Sequence, residues 1–200
     1  MLTRLKAKVQ SAIKTQAKAA DKIGLTPNII SALGIVFAFL SALAYAGGRQ
    51  NLSLAVVLLL LSGYCDMLDG ALARLHQKAT SFGGFLDSLL DRYADSAVYA
   101  GIIVGGMCTI QWGLLALIGS LLVSYARARA EAASIKMESI GLAERAERLL
   151  IIAAASIAEI FLKNALETGI IVLAVLTNLT VLQRSLYVYK TLKKREKSEA

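Results

Sequence analysis

Six apolar runs constrain this 200-residue chain more than any other feature. They fall near residues 28–48, 52–75, 82–108, 113–130, 147–163 and 168–189. A helix needs about 20 residues to cross roughly 30 Å of hydrocarbon, so each run can span a bilayer with some tilt. Hydrophobic residues make up 56% of the chain and the mean hydropathy is +0.61, which excludes an ordinary soluble domain. The expectation is an all-α integral membrane protein with six transmembrane helices. The fifth run, LLIIAAASIAEIFL, is the shortest and carries Glu159, whose i,i+4 neighbour Lys163 eases the charge towards the interface.

Basic residues orient the spans. One side collects the N-terminal lysines, Arg74, Lys78, Arg127, Arg129, Lys136, Arg145, Arg148 and the tail from Lys190; the other keeps Arg49 and Lys163. The positive-inside rule makes the first side cytoplasmic, with both termini on it, and so requires an even number of spans. Before the first span, Leu2, Leu5, Val9 and Ile13 form an apolar stripe among lysines, which suits an amphipathic helix lying in the interface against anionic lipid. Thr26 can cap the first span, with Pro27 at its first helical position. The organisation is then an interfacial helix over 1–24, a membrane domain over 25–190 and a basic cytoplasmic tail over 191–200. Cys65 and Cys108 should lie at opposite ends of neighbouring spans, as free apolar fillers, and His76 reads as a loop residue rather than a ligand. No nucleic-acid partner is expected.

The second and third runs carry acidic residues where hydrocarbon should be, in DMLDGALARLHQKATSFGGFLDSLLD. At 1.5 Å per residue, Asp69 and Asp66 lie about 7 and 12 Å in from Arg74, and Asp87 and Asp91 about 8 and 14 Å in from Phe82. Both pairs therefore occupy one layer just inside the cytoplasmic surface. Spacings of three and four place each pair on one helix face. The short loop between the runs makes the two helices antiparallel neighbours, so the four carboxylates can converge. Even on a lenient scale four buried aspartates cost about 10–14 kcal/mol, so protonation or cations must balance them. Oxygen ligands without Cys or His favour a hard ion, Mg²⁺ or Mn²⁺. A hard-metal site at the membrane face suits chemistry on a phosphate-bearing substrate. Gly70 and Ala73 leave a bare strip where a ligand can approach the backbone, or where a helix can pack, and Arg74 can hold a diphosphate.

The array Asp66-x2-Asp69-Gly70-x2-Ala73-Arg74-x8-Gly83-x3-Asp87-x3-Asp91 resembles, position for position, the signature of the CDP-alcohol phosphotransferase family. The resemblance implies six membrane helices with a cytoplasmic interfacial helix, and a homodimer. It implies transfer of a phosphoalcohol from a CDP-linked lipid to a polar alcohol, with release of CMP, supported by two divalent cations. By the same resemblance Asp66, Asp69, Asp87 and Asp91 would be metal ligands and Asp91 also the general base. Asn28, Ile29, Ile30, Ser31, Gly70, Ala73, Arg74 and Thr80 would hold the CDP-lipid. Asp95 lies outside the signature and reads as a hydrogen-bonded structural residue.

Three arginines point to the acceptor. Arg184 lies about 9 Å in from the tail, level with the aspartates, while Arg127 ends the fourth span and Arg148 opens the fifth. Arginine forks suit a phosphate dianion, although the same three can pair with Glu131, Glu144 and Glu147. These stretches resemble the inositol-phosphate branch of the family, where a Lys usually stands at Arg127. The expected acceptor is inositol 1-phosphate, with glycerol 3-phosphate the alternative. Two further readings remain: an intramembrane prenyltransferase, which would release inorganic diphosphate, and a divalent-cation transporter, which would turn over no CDP-lipid. Gly101 and Gly105 form a G-x3-G pair that serves either packing within the protomer or dimerisation.

Overall fold

The computed structural model describes residues 13, 15–76, 81–137 and 140–199. All regular structure among them is helical: α1 (Pro27–Ala46), α2 (Leu52–His76), α3 (Ser81–Val104), α4 (Ile110–Ala132), α5 (Arg145–Phe161) and α6 (Ala165–Glu199). A 3₁₀ turn, Arg49–Asn51, links α1 to α2. Residues 15–22 are also helical, with Ala17 and Ala20 buried against Ile30, Cys65, Leu68 and Leu72. Most of the expected interfacial stripe (Leu2, Leu5 and Val9) lies outside the described residues.

Four segments are long and apolar enough to cross a membrane: Pro27–Ala46, Arg49–Leu75, Ile110–Ala132 and Ala165–Lys197. The remaining two helices differ for physical reasons. α3 carries Asp87, Asp91, Arg92 and Asp95, and α5 has 17 residues, about 26 Å of helix.

Local chemistry fixes the ends. Thr26 accepts a hydrogen bond from the Ile29 N–H at 3.4 Å and Pro27 opens α1, as the sequence predicts. α3 stops at Val104, four residues before the expected end. There the Met107 N–H reaches the Ile102 carbonyl, the Gly106 N–H reaches that of Ile103, and Gly106 takes φ 65°. That is a Schellman turn, whose left-handed residue glycine accepts without strain. At the other extreme α6 runs past the expected span and takes in the basic tail through Glu199. His76 is the last residue of α2 and not part of the following loop.

α1 packs against both α2 and α3, α4 against α3 and α6, and α5 against α2 and α6. Among the described residues the backbones of α2 and α3 do not approach each other closely, and the two helices meet through Asp66, Asp87 and Asp91, as their short loop leads one to expect. α1 holds the two apart, and the gap between them is where the acidic residues face one another. The main core gathers Tyr45, Leu52, Leu59, Tyr99, Ile102, Leu166, Ile170 and Leu173. Its polar atoms are matched: Tyr45 Oη lies 2.7 Å from Ser156 Oγ, and Ser120 Oγ donates to Tyr99 Oη at 3.0 Å. Glu159 is buried, yet its partner is not Lys163: Arg49 Nη1 meets its carboxylate at 2.7 Å, and the Leu166 N–H donates to it at 3.1 Å. An arginine from the α1–α2 turn reaches over the end of α5, a contact between distant segments that i,i+4 spacing does not foresee. Both cysteines are free and buried.

The G-x3-G pair serves packing within the protomer. A methyl group added at Gly101 would collide with the Ala42 carbonyl, and one at Gly105 with that of Tyr45. α3 thus lies directly on the α1 backbone. Gly101→Ala should destabilise the protein by about 1–3 kcal/mol through overpacking. The check is a melting curve in detergent; an unchanged midpoint would contradict the close approach.

Candidate active site at the carboxylate cleft

α2 and α3 present their acidic faces across the gap that α1 maintains. The i,i+3 pair Asp66 and Asp69 comes from α2, and the i,i+4 pair Asp87 and Asp91 from α3. Asp66, Asp87 and Asp91 each place one carboxylate oxygen within 4.8 Å of the others. They line an open cleft of about 290 Å³ with Ser31, Gly34, Ile35, Ser62, Asp69, Ala94 and Arg145. An all-carboxylate donor set of this size fits a hard divalent cation, which takes oxygen ligands and retains places for water or phosphate.

Asp69 lines the same cleft but stands outside the trio. It is 8% exposed, and Ser31 Oγ donates to its Oδ2 at 2.6 Å. The same hydroxyl lies 3.1 Å from the Pro27 carbonyl, its alternative acceptor, so the first turn of α1 is tied to the carboxylate. Its neighbours divide by helix face: Asn28 and Ile29 are exposed beside it, whereas Ile30 is 2% exposed and packs under the N-terminal helical segment. The Ile30 side chain therefore belongs to the core rather than to a ligand contact.

Gly70 has only the guanidinium of Arg74 within 4 Å of where a Cβ would stand, at 3.5 Å. Among the described residues no other helix comes that near, so the space beside Gly70 is open to a ligand, with the cation of Arg74 next to it. Thr80 lies outside the described residues.

Arg145, the first residue of α5, is the contact that the sequence reading missed. Its Nη1 meets Asp66 at 2.7 Å, its Nη2 meets Asp91 at 3.0 Å and its Nε meets Asp95 at 3.3 Å. Arg148, one turn on, meets the second oxygen of Asp95 at 3.0 Å and donates to the Ala143 carbonyl at 3.1 Å. Asp95 is thus the hydrogen-bonded anchor of two guanidiniums. The signal was present: Arg145 and Arg148 repeat the i,i+3 spacing of Asp66 and Asp69, although a basic pair at a span end also reads as plain topology.

The three arginines expected at the acceptor differ in their surroundings. Arg148 is 3% exposed and its Nε has no hydrogen-bond partner among the described residues. It borders a second cavity of about 380 Å³ with Ser62, Asp95, Tyr99 and Arg145. Arg184 is 2% exposed and fully engaged, donating to the Ile140 carbonyl at 2.8 Å and the Val123 carbonyl at 2.6 Å, with Glu144 at 3.7 Å. Arg127 pairs with Glu131 at 2.8 Å on the surface of α4. Glu144, Arg127, Arg148 and Glu131 all lie close enough to Arg184 to act on its charge, so the three arginines share one neighbourhood with two carboxylates.

Comparison with known proteins places the chain among relatives. The profile described as CDP-alcohol phosphatidyltransferase matches residues 24–182. Archaetidylinositol phosphate synthase of Pyrococcus horikoshii is 39% identical over 196 residues, covering 98% of this chain and 99% of its own length. The crystal structure of Mycobacterium tuberculosis phosphatidylinositol phosphate synthase with CDP-DAG bound matches with a TM-score of 0.76 and 31% identity. That match covers 88% of this chain and 93% of the other. The same enzyme in complex with manganese and citrate matches with a TM-score of 0.78 and 30% identity, covering 88% of each chain.

Gly70 and Gly101 should respond oppositely to one added methyl. Gly70→Ala should keep or raise the melting temperature, since Ala favours a helix by up to about 1 kcal/mol over Gly, while activity falls because the strip is blocked. A melting point lowered as far as that of Gly101→Ala would assign Gly70 to packing.

Proposed function

Because the chain belongs to the CDP-alcohol phosphatidyltransferase family, we propose that it transfers the phospholipid moiety of a CDP-linked lipid to inositol 1-phosphate, releasing CMP. The observation that carries this reading is the trio Asp66, Asp87 and Asp91, with oxygens within 4.8 Å of one another in a cleft that Asp69, Ser31 and Arg145 also line. The resemblance to an archaetidylinositol phosphate synthase along nearly its whole length favours a phosphorylated inositol over glycerol 3-phosphate. All six helices cross the membrane in this reading, with the carboxylate end at the cytoplasmic face and a second copy completing a homodimer. α3 can cross because Asp91 and Asp95 are matched by Arg145 and Arg148 rather than by lipid.

Asp66, Asp69, Asp87 and Asp91 would hold Mg²⁺ or Mn²⁺, two ions in this account. When bound, the ions would neutralise the diphosphate and stabilise the charge that develops on the transferred phosphoryl group and departing CMP. The chain's own residues do the rest. Asn28, Ile29 and Ser31 on the first turn of α1 lie against the nucleotide, and Arg74 draws in the diphosphate beside Gly70 and Ala73. Thr80 belongs to the same group by the sequence signature. Asp91 accepts the proton of the acceptor hydroxyl as that oxygen bonds to phosphorus and the bond to the CMP oxygen breaks.

Arg127, Arg148 and Arg184 receive the acceptor's phosphate. Arg148, with an unpartnered buried Nε on a cavity, is the direct contact. Arg184 fixes the α4–α5 connection through the Ile140 carbonyl and adds its charge. Guanidinium forks match phosphate geometry better than a lysine would.

Release of CMP from CDP-lipid should be fast with inositol 1-phosphate, slower with glycerol 3-phosphate and absent with free inositol or serine. Equal reaction of free inositol would contradict a phosphate-binding acceptor site. Asp91→Asn is nearly isosteric, so the folded variant should lose turnover by about 10²–10⁴-fold. Near-normal CMP release from that variant would remove Asp91 as base. Chelation should abolish activity and lower the melting temperature together, and Mg²⁺ or Mn²⁺ should restore both.

A further inference from the structure

Arg145 uses all three of its nitrogens on carboxylates, and two of those carboxylates belong to the trio that fits a cation. Asp66 on α2 and Asp91 on α3 are bridged at 2.7 and 3.0 Å by one guanidinium, which a third carboxylate, Asp95, holds at 3.3 Å. A residue serving topology alone would extend into water; the Arg145 side chain is 23% exposed and turned into the cleft. It lines both the carboxylate cleft and the cavity beside Arg148. A guanidinium in these contacts lowers the negative potential that attracts a divalent ion, and competes with the ion for Asp66 and Asp91. Asp95 contributes nothing to the trio, so it can keep hold of Arg145 when the other two carboxylates turn to a metal.

We propose that Arg145 is a built-in counter-cation of the carboxylate cleft, which stabilises α2, α3 and α5 against carboxylate repulsion and sets how much divalent ion is needed to load the site. This rests on the reading of Asp66, Asp87 and Asp91 as metal ligands. Arg145 is a positioning residue here: it acts through the carboxylates. Whatever binds to both the cleft and the guanidinium is linked to the ion reciprocally, so ion loading and release of Arg145 from Asp66 and Asp91 are one equilibrium.

The test compares the full-length protein in detergent with Arg145→Gln and Arg145→Lys. The probe is Mn²⁺ alone, titrated while the signal of free aqueous Mn²⁺ is read by electron paramagnetic resonance; melting curves are taken in chelator and in saturating Mn²⁺. Arg145→Gln should bind Mn²⁺ about tenfold more tightly, the order of a typical coupling between two sites. Its melting temperature in chelator should fall below that of the unaltered protein, and its gain on adding Mn²⁺ should be larger. Arg145→Lys, a point charge without a fork, should lie between the two. A clamp with no part in ion binding would lower both melting temperatures equally. Mn²⁺ affinity that is unchanged or weaker in both variants overturns the counter-cation while leaving the metal site standing. Absence of Mn²⁺ binding by the unaltered protein overturns the metal site itself. If Arg145→Gln does not fold, Arg145→Lys decides the matter on the same sign of change.

Discussion

Carboxylate charge in a low-dielectric layer is the constraint on which the rest of this structure depends. Asp66, Asp69, Asp87, Asp91 and Asp95 stand on two helices that must otherwise meet lipid and apolar neighbours. A charge there is tolerated only if water, a cation or a hydrogen-bond donor reaches it. Four of these aspartates have a close partner among the described residues: Arg145 for Asp66, Asp91 and Asp95, and Ser31 for Asp69. The guanidiniums do not cancel the acidic charge, and the surplus is what makes the cleft attractive to a divalent ion.

The helix arrangement follows from serving that cleft. α2 and α3 are adjacent in sequence, and close packing would have closed the space between their acidic faces. α1 keeps them apart, and it comes near enough to do so only because Gly101 and Gly105 let its backbone touch α3 and Gly34 sits against Cys65 of α2. α5 then closes one side with its first turn, delivering Arg145 and Arg148 to Asp95. On the far side of the core, Arg49 and Glu159 fasten the α1–α2 turn to the end of α5. The polar residues inside this apolar chain are thus concentrated in a few matched sets rather than spread through it.

How much of this could be read from the sequence varies with the range of the interaction. The helices were legible because apolar runs and caps are local: Thr26 and Pro27 mark the start of α1 in both views. The acidic pairs were legible because their spacing fixes a shared helix face and their signature is long. Gly106 ends α3 early through a left-handed turn that hydropathy does not register. What escaped was long-range. Arg145 looks like any cytoplasmic charge until α5 is placed against α3, and Glu159 looks like a partner of Lys163 until Arg49 is brought across 110 residues. Arg184 stands out in the sequence as a charge within an apolar run, but its donors go to the carbonyls of Ile140 and Val123, which no side-chain pattern reveals. The short loop between α2 and α3 correctly implies that their carboxylates meet, but not that α1 would pack against both backbones.

The account stands on cations meeting Asp66, Asp87 and Asp91 at one place. The most direct measurement is anomalous diffraction from crystals of the protein grown with Mn²⁺. The account predicts manganese peaks in contact with oxygens of Asp66, Asp87 and Asp91, with the Arg145 guanidinium withdrawn towards Asp95. Crystals in which manganese is absent from the cleft while Arg145 still bridges Asp66 and Asp91 would contradict it.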